Sequence, residues 1–491
     1  MVLLNLPLLI FLACTTTSSK NEADATAKRP NIIYILADDL GYGDLSCYGQ
    51  QQLFTPHIDQ LASEGIRFTQ HYAGSTVCAP SRASLLTGMH AGHINVRGNQ
   101  PPGQLIRNET TTIPEALKPA GYTSAIIGKW GVGHPPEPND PHRNGFDHHY
   151  GYINMWHAHN FYPEFLYRNS TRETLAGNKT DWNFDYEKYH PKGMPEGTGV
   201  ASAKETYVLT EFEKDAHRFI EQNQENPFFL YLALNMPHAN NEAGHFLGDG
   251  MEVPMMDQDG KIVSNYGDFV GQEWPNPEKG FAQMMKLIDD FVGGISQKLE
   301  ELNLDENTVL IFSSDNGPHQ EGGHKVDFFD SNGPLRGSKR DLYEGGIRVP
   351  LIARWKEQIK PGSVSDHSCG FFDLLPTLCE IAGIDPPDNI DGISFLPTLL
   401  GQPKQSQHNY LYWEFYEQGG KQAVLQDQWK LVRLNIRDAT QPIRTELYDL
   451  SKDLGETQNL ADTYPGRVAD MSILMDSAHV ASTVISLFET D

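Results

Sequence analysis

One short segment combines a cysteine, a proline and an arginine in an order suited to anion chemistry. It reads Cys-Ala-Pro-Ser-Arg from Cys78 to Arg82 and continues as Ala-Ser-Leu-Leu-Thr-Gly to Gly88. Pro80 fits the first turn of a helix and Gly88 its end. Cys78 is therefore expected at a helix N-terminus, where free N–H groups favour a negative charge, with Arg82 on the same helix face. The segment predicts either a reactive anion site or an ordinary reduced thiol in a capped helix.

Polar groups of catalytic type also follow four apolar runs of the chain. They are Asp38 and Asp39 after the first run, Lys129 after the second, His238 after the third, and Asp315 with Asn316 after the fourth. Singly, each group is typical of a turn, a cap or a solvated surface. The two oxygen-rich pairs contain no cysteine or adjacent histidine, which favours a hard cation. Calcium is expected rather than magnesium, because the protein supplies most of the ligands.

The apolar runs alternate with amphipathic stretches. The expected strands lie at 31–37, 122–127, 228–234, 308–312 and 349–353, and the expected helices at 56–65, 112–120, 202–223 and 281–302. This alternation predicts an α/β fold, with a large doubly wound, mostly parallel sheet flanked by helices. Ligands of such sheets bind beyond the carboxyl ends of the strands. The four sets of polar groups should therefore meet at one edge of the sheet.

Length and charge limit the functions open to this chain. Its 491 residues exceed what one core organises, about 250–300 residues, so a second, smaller domain is expected. Its formal net charge is −26. A surface this acidic disfavours nucleic acids and anionic membranes as partners. An anionic substrate would need a local basic pocket.

The Cys78 segment resembles the signature of the type I, formylglycine-dependent sulfatases of the alkaline phosphatase superfamily. Further matching stretches lie at 31–44, 121–133, 235–238, 315–317, 335–350 and 446–450. The resemblance implies that Cys78 is oxidised to formylglycine (3-oxoalanine) by a formylglycine-generating or sulfatase-maturing enzyme. It also implies one calcium ion held by the two oxygen-rich pairs together with residue 78, and a smaller C-terminal antiparallel-sheet subdomain.

The same resemblance assigns roles to individual side chains. A hydrated formylglycine carries two hydroxyl groups, one to attack the sulfate ester and one whose collapse to the aldehyde expels inorganic sulfate. Arg82 is expected to steady this hydrate, and Lys129 and Lys339 to bind the sulfate group. His238 is expected to protonate the departing alkoxide.

One position departs from the family pattern. The family more often reads Gly-Lys-Trp-His, whereas this chain has Gly131 after Trp130. Some other group must then assist the collapse of the hydrate, or that step is slower. His134 is close in sequence and could substitute, but it could equally be a loop residue.

The substrate should be set by loops around this core. Residues 147–168 are rich in His, Tyr and Trp, which suit sugar rings, although core packing explains any single aromatic equally well. His157 and His159 are the expected contacts to a sugar hydroxyl. The expected substrate is a sulfated carbohydrate, for example algal ulvan or carrageenan.

The N-terminus is typical of an exported protein. Residues 1–13 are expected to be a signal peptide, and Leu12-Ala13-Cys14 resembles a lipobox that would anchor Cys14 to a membrane lipid. The periplasm or cell surface is the expected location. Residues 14–29 are expected to form a tether, 30–395 the catalytic domain and 396–491 the C-terminal α+β subdomain.

Two other functions stay open from the sequence. A phosphodiesterase or phosphonate monoester hydrolase could use the same fold and metal. An inactive lipoprotein that binds sulfated glycans could keep the fold without the chemistry. A binding protein would not need the whole set of metal ligands, lysines, arginine and histidine, so hydrolysis is favoured.

Overall fold

The computed structural model of the protein describes residues 28–99, 110–132, 140–180, 184–189, 193, 196–253, 255–256, 262–482 and 487–488. The expected signal peptide, Cys14 and His134 lie outside the described residues, as does the tether apart from 28 and 29. Within the described ranges, no helix is both long enough and apolar enough to cross a membrane.

The strands fall into a large sheet, a C-terminal sheet and a short hairpin. They are β1 Asn31–Asp38, β2 Ile66–Tyr72, β3 Thr123–Lys129, β4 His148–Tyr152, β5 Phe165–Arg168, β6 Thr171–Thr174, β7 Phe228–Pro237, β8 Met255–Met256, β9 Ile262–Ser264, β10 Thr308–Ser314, β11 Arg348–Arg354, β12 Ser363–Ser365, β13 Cys369–Gly370, β14 Leu411–Phe415, β15 Lys421–Gln426, β16 Trp429–Leu434 and β17 Arg444–Asp449.

The large sheet has the order β12-β2-β11-β10-β1-β7-β3-β4-β5-β6, with β13 also paired to β2. Its centre is parallel, because β1 pairs in parallel with β10 and β7, and β3 does so with β7 and β4. Antiparallel strands flank this centre, with β11 and β2 on one side and β5 and β6 on the other. The expected strand at 349–353 is present as β11, but it runs against its neighbours.

Helices cover both faces of the large sheet, and the last helix lies on the C-terminal sheet instead. They are α1 Pro56–Glu64, α2 Cys78–Thr87, α3 Ile113–Leu117, α4 Tyr186–Tyr189, α5 Val208–Asn223, α6 Asn241–Leu247, α7 Asn276–Glu301, α8 Val326–Phe329, α9 Glu344–Ile347, α10 Leu374–Ile381, α11 Leu396–Leu399 and α12 Pro465–Ala478. Ile33 and Ile35 of β1 pack in the core that includes α1, α5 and α7. Ile32 and Tyr34 point to the other core, which includes α2, α3 and α10. This two-sided burial explains why β1 is apolar almost throughout, and it confirms the doubly wound α/β fold.

The C-terminal sheet has the order β14-β15-β16-β17 and is antiparallel, as expected. One face, including Trp413, packs against Val77 and Tyr343 of the larger part. Helix α12 covers the opposite face through Met471 and Met475. The sheet therefore contacts the residue before Cys78 and the segment that follows Lys339.

Candidate active site

The ends of four parallel strands meet at one edge of the large sheet, as the sequence predicts. Asp38 and Lys129 are the last residues of β1 and β3, and Lys129 Nζ lies 2.7 Å from Asp38 Oδ2. Asp315 follows β10, and its Oδ1 accepts a hydrogen bond of 3.0 Å from the Asp39 backbone N–H. All four of these side chains are at most 1% exposed.

Cys78 begins α2, also as predicted, and the helix ends at Gly88 in a left-handed conformation. The Cys78 thiol lies 3.3 Å from Asp38 Oδ1 and 3.9 Å from Asp39 Oδ1. Burial raises the pKa of this thiol well above its usual range, and the neighbouring carboxylates raise it further. An unmodified Cys78 would therefore stay protonated and would be a poor nucleophile. The position fits a converted side chain better than a thiolate.

Arg82 connects the strand ends beneath α2. Its guanidinium donates to Asp315 Oδ2 at 2.9 Å and to the Lys129 carbonyl at 2.6 Å, and it lies 3.5 Å from Asp38 Oδ1. It is completely buried. Because these contacts reach residues at the ends of β1, β3 and β10, Arg82 holds the ends of three strands in place.

The oxygen-rich pairs form a compact set suited to a hard cation. Ligand atoms of Asp38, Asp39, Cys78 and Asp315 all lie within 4.8 Å of one another. Burial, Asp38 and Asp39 raise the pKa of Asp315 to about 7, which is the mark of crowded carboxylates. Asn316 Nδ2 donates to Asp39 Oδ1 at 2.7 Å, while its buried Oδ1 has no hydrogen-bond partner among the described residues. A cation bound here would reduce the repulsion between the carboxylates and would give Asn316 Oδ1 a partner. These residues therefore fit the expected calcium.

His238 and Lys339 lie side by side at the same edge. Lys339 Nζ is 2.8 Å from Asp39 Oδ2 and 3.1 Å from His238 Nε2. His238 Nδ1 donates to the Ala239 carbonyl at 2.7 Å, so Nε2 presents a lone pair to the lysine. Burial and Lys339 lower the pKa of His238 to about 3. The proton shared by this pair therefore belongs to Lys339, and the proposed donor role of His238 requires that a proton reach Nε2 first.

Sequence profiles of known families decide the family of the chain. The profile described as Sulfatase matches residues 30–384, well over half of the chain. The chain belongs to the sulfatase family. A second profile, the C-terminal part of N-sulphoglucosamine sulphohydrolase, matches residues 337–473 and includes the whole β14–β17 sheet.

Two curated relatives and one solved structure place this sulfatase among enzymes named for sulfated sugars. The chain is 34% identical to N-acetylgalactosamine-6-sulfatase of Homo sapiens over 398 residues, which are 77% of this chain and 66% of that protein. It is 29% identical to N-acetylgalactosamine-6-O-sulfatase of Bacteroides thetaiotaomicron, with 96% and 98% covered. A 6S-sulfatase structure, described with the metabolism of multiple glycosaminoglycans by Bacteroides thetaiotaomicron, superposes with a TM-score of 0.72 at 26% identity, covering 92% and 99%.

The length of these relatives differs. The chain spans just under two thirds of the mammalian protein and nearly all of the bacterial one. The structural match over 92% of the chain agrees with the α/β fold and its C-terminal sheet.

The backbone explains the glycine that departs from the family pattern. Gly131 has a φ of +71°, a left-handed conformation that most side chains avoid. A Cβ atom there would lie 3.4 Å from Lys129 Cε and 3.5 Å from Arg82 Cδ, which is ordinary contact. The conformation, rather than lack of space, disfavours a side chain at this position of the sulfatase.

The two predicted substrate histidines differ in position. His157 is completely buried and packs against the rings of Tyr152 and Phe165. Its expected contact to a sugar hydroxyl stays a prediction. His159 stacks on His238 with ring centroids 4.7 Å apart, and its Nδ1 lies 3.3 Å from Glu242 Oε2. Only His159 of the pair adjoins the site.

Glu321 is a site residue that the sequence did not reveal. Its Oε2 lies 3.2 Å from Lys339 Nζ and 3.7 Å from His238 Nε2, and its Oε1 lies 2.6 Å from Arg340 Nη1. Lys339, His238 and Arg340 hold the pKa of this carboxyl well below its usual range despite burial. Its place six residues after Asp315, on the loop that leaves β10, is the signal that could have found it.

The C-terminal sheet holds the loop that carries Lys339. Arg340 has a φ of +77°, unusual for a residue with a side chain. Its backbone N–H donates to the Thr76 carbonyl at 3.0 Å, and its carbonyl accepts from Lys421 Nζ of β15 at 2.7 Å. Tyr343 donates to Glu446 of β17 at 2.6 Å. The position of Lys339 therefore depends on contacts made by the second sheet.

Proposed function

We propose that this sulfatase hydrolyses sulfate esters of a glycan and releases inorganic sulfate. The observation that carries the proposal is the position of Cys78 at the start of α2, 3.3 Å from Asp38 and among two buried lysines and an arginine. Net negative charge dominates the rest of the molecule. The lysines and the expected cation supply the local positive field that a sulfate group needs.

Each group at the strand ends has a part in this chemistry. Converted to formylglycine and hydrated, residue 78 supplies a hydroxyl nucleophile and a second hydroxyl that lets sulfate leave, while a calcium ion bound by Asp38, Asp39, Asp315 and Asn316 supplies positive charge. Arg82 of α2 fixes the positions of Asp315 and of the end of β3 relative to this helix. Lys129 and Lys339 lie beside Asp38 and Asp39, two of the expected metal ligands. Their ammonium groups are therefore placed to bind and orient a sulfate group next to the cation.

The leaving alkoxide needs a proton as the ester bond breaks. Lys339 holds one, and its Nζ donates toward His238 Nε2 at 3.1 Å. We propose that Lys339 and His238 act as one proton-delivering pair. The ring of His159, stacked on His238, keeps the imidazole in its orientation.

The names of the relatives support a particular substrate class. Both N-acetylgalactosamine-6-sulfatases are similar to this chain over most of its length. We therefore propose a glycan bearing 6-O-sulfated N-acetylgalactosamine as the first substrate to test. Ulvan and carrageenan fragments, predicted from the sequence, belong in the same panel.

A panel of sulfated mono- and oligosaccharides tests the proposal. The wild-type protein, produced together with a maturing enzyme, should release inorganic sulfate from at least one member. Cys78→Ser, which cannot be converted by an enzyme specific for cysteine, should release less than about a hundredth as much, because its serine would be trapped as a stable sulfate ester. Faster turnover of phosphodiesters than of every sulfate ester would instead favour the phosphodiesterase alternative.

A further inference from the structure

Lys339 has all of its hydrogen-bonding capacity in use. A lysine ammonium has three N–H donors, and Lys339 Nζ has three partners. They are Asp39 Oδ2 at 2.8 Å, His238 Nε2 at 3.1 Å and Glu321 Oε2 at 3.2 Å. A sulfate oxygen can receive a hydrogen bond from this lysine only if one of the three partners gives up its place.

The three partners differ in how freely they can move. The side chains of Asp39 and His238 are 0% and 3% exposed, and the backbone of His238 continues directly from β7. The Glu321 side chain is 14% exposed, and it lies on a loop. Glu321 is therefore the partner that can leave toward solvent.

We propose that the Glu321 carboxylate occupies the place on Lys339 that a sulfate oxygen takes, and that sulfate binding displaces it. The inference rests on the proposed function, since it assumes that Lys339 binds sulfate. One contact is exchanged for another: Glu321 Oε2 leaves Lys339 for water, and a sulfate oxygen accepts the freed N–H.

Arg340 keeps the displaced carboxylate nearby. Its Nη1 lies 2.6 Å from Glu321 Oε1, the oxygen that Lys339 does not use, and its side chain is 33% exposed. Glu321 can thus swing away from Lys339 while it stays paired with Arg340, and it can return when product leaves. This makes Glu321 a competitor of both substrate and product sulfate, and it weakens the binding of both.

Calorimetric titration with inorganic sulfate tests the inference without requiring turnover. Glu321→Gln keeps the shape of the side chain but removes its charge, so Kd for sulfate should fall by about tenfold or more. Glu321→Ala should change Kd in the same direction. Glu64→Gln is the matched control, because Glu64 is also a partly exposed carboxylate paired with an arginine, Arg354, and should leave Kd unchanged.

An equal or larger Kd in Glu321→Gln and Glu321→Ala, or no sulfate binding by any variant, would overturn the inference. Tighter binding confined to the Glu321 variants would support it. These outcomes are independent of the saccharide panel. Failure to hydrolyse any sulfate ester would remove the proposed function even where the sulfate titration behaves as expected.

Discussion

Lys430 Nζ of β16 lies 2.9 Å from Glu344 Oε1, which belongs to α9 in the larger part of the molecule. A second carboxylate, Glu456, lies 3.0 Å from the same nitrogen, and all three side chains are completely buried. Glu344 follows Lys339 by five residues, and its backbone N–H donates to Glu456 Oε2 at 2.7 Å. This buried charge cluster joins the C-terminal sheet to the segment that carries a site lysine.

Lys430→Met should destabilise the protein strongly. The substitution removes the cation that Glu344 and Glu456 share, and it leaves Glu344 paired with Arg348 alone, 3.1 Å away. Breaking such a buried cluster costs about 3–5 kcal/mol. Denaturant unfolding would measure the loss. Lys452→Met is the control, because Lys452 pairs with Asp449 but is 80% exposed, and it should change the free energy of unfolding by no more than about 0.5 kcal/mol. Equal effects of the two substitutions would argue against the cluster.

Asp44 should make the protein less stable as the pH rises. Burial raises the pKa of this carboxyl to about 7, and the nearby Asp330 adds to the effect. Between the unfolded value of about 4 and the folded value, the folded protein keeps a proton that the unfolded chain has lost. The free energy of unfolding therefore falls with pH, by at most about 1.4 kcal/mol per pH unit for this group.

Asp44→Asn removes that titration. The stability of the variant relative to wild type should increase from pH 4.5 to pH 7 and then level off. Denaturant unfolding at several pH values would show the trend. Asp462→Asn, at an exposed position, should run parallel to wild type over the same range. A constant difference between Asp44→Asn and wild type would contradict the expected pKa.

Substitution of Gly131 should follow the backbone conformation rather than the available space. Gly131→Ala should cost about 1 kcal/mol, because alanine is disfavoured at a φ of +71°. Gly131→Asn should cost less, since asparagine tolerates the left-handed region. Thermal unfolding of the two variants would compare them. A larger loss for Asn than for Ala would indicate that side-chain volume is the limiting factor.

Removal of metal should lower activity reversibly. EDTA treatment should lower sulfate release, and calcium should restore it, because the site offers carboxylate and amide oxygens. Asn316→Ala should weaken calcium binding measured by calorimetry. Asn223→Ala, at the C-terminal end of α5, should not. Restoration by zinc alone would contradict the oxygen-ligand assignment.

The centre of the fold and the convergence of the site could be predicted from the sequence for one reason. Buried parallel strands such as β1 are apolar almost throughout, and their carboxyl ends lie at one edge, so Asp38, Lys129, His238 and Asp315 had to meet. Strands β4 and β6, on one side of this centre, were not predicted. β4 and β6 read as polar or aromatic loop sequence, and β6 is largely exposed, so neither shows the pattern of a buried strand.

Contacts between side chains of different segments could not be predicted from the sequence. The place of Glu321 soon after β10 indicates that it lies near the site, but it does not show that Glu321 contacts Lys339, since both lie on loops without periodicity. The burial of His157 depends on which way its side chain points, and neighbouring rings settle that only in the folded chain. Lys339 itself was assigned through the family resemblance, and its position is held by β15 and β17 from the other sheet.

The conversion of Cys78 is the centre of this account, and one measurement tests it most directly. Mass spectrometry of the peptide that contains residue 78, on preparations made with increasing amounts of maturing enzyme, gives the fraction present as formylglycine. Sulfate release from the best substrate should rise in proportion to that fraction and extrapolate to nearly zero for the unconverted thiol. Equal sulfate release by converted and unconverted preparations would contradict the account.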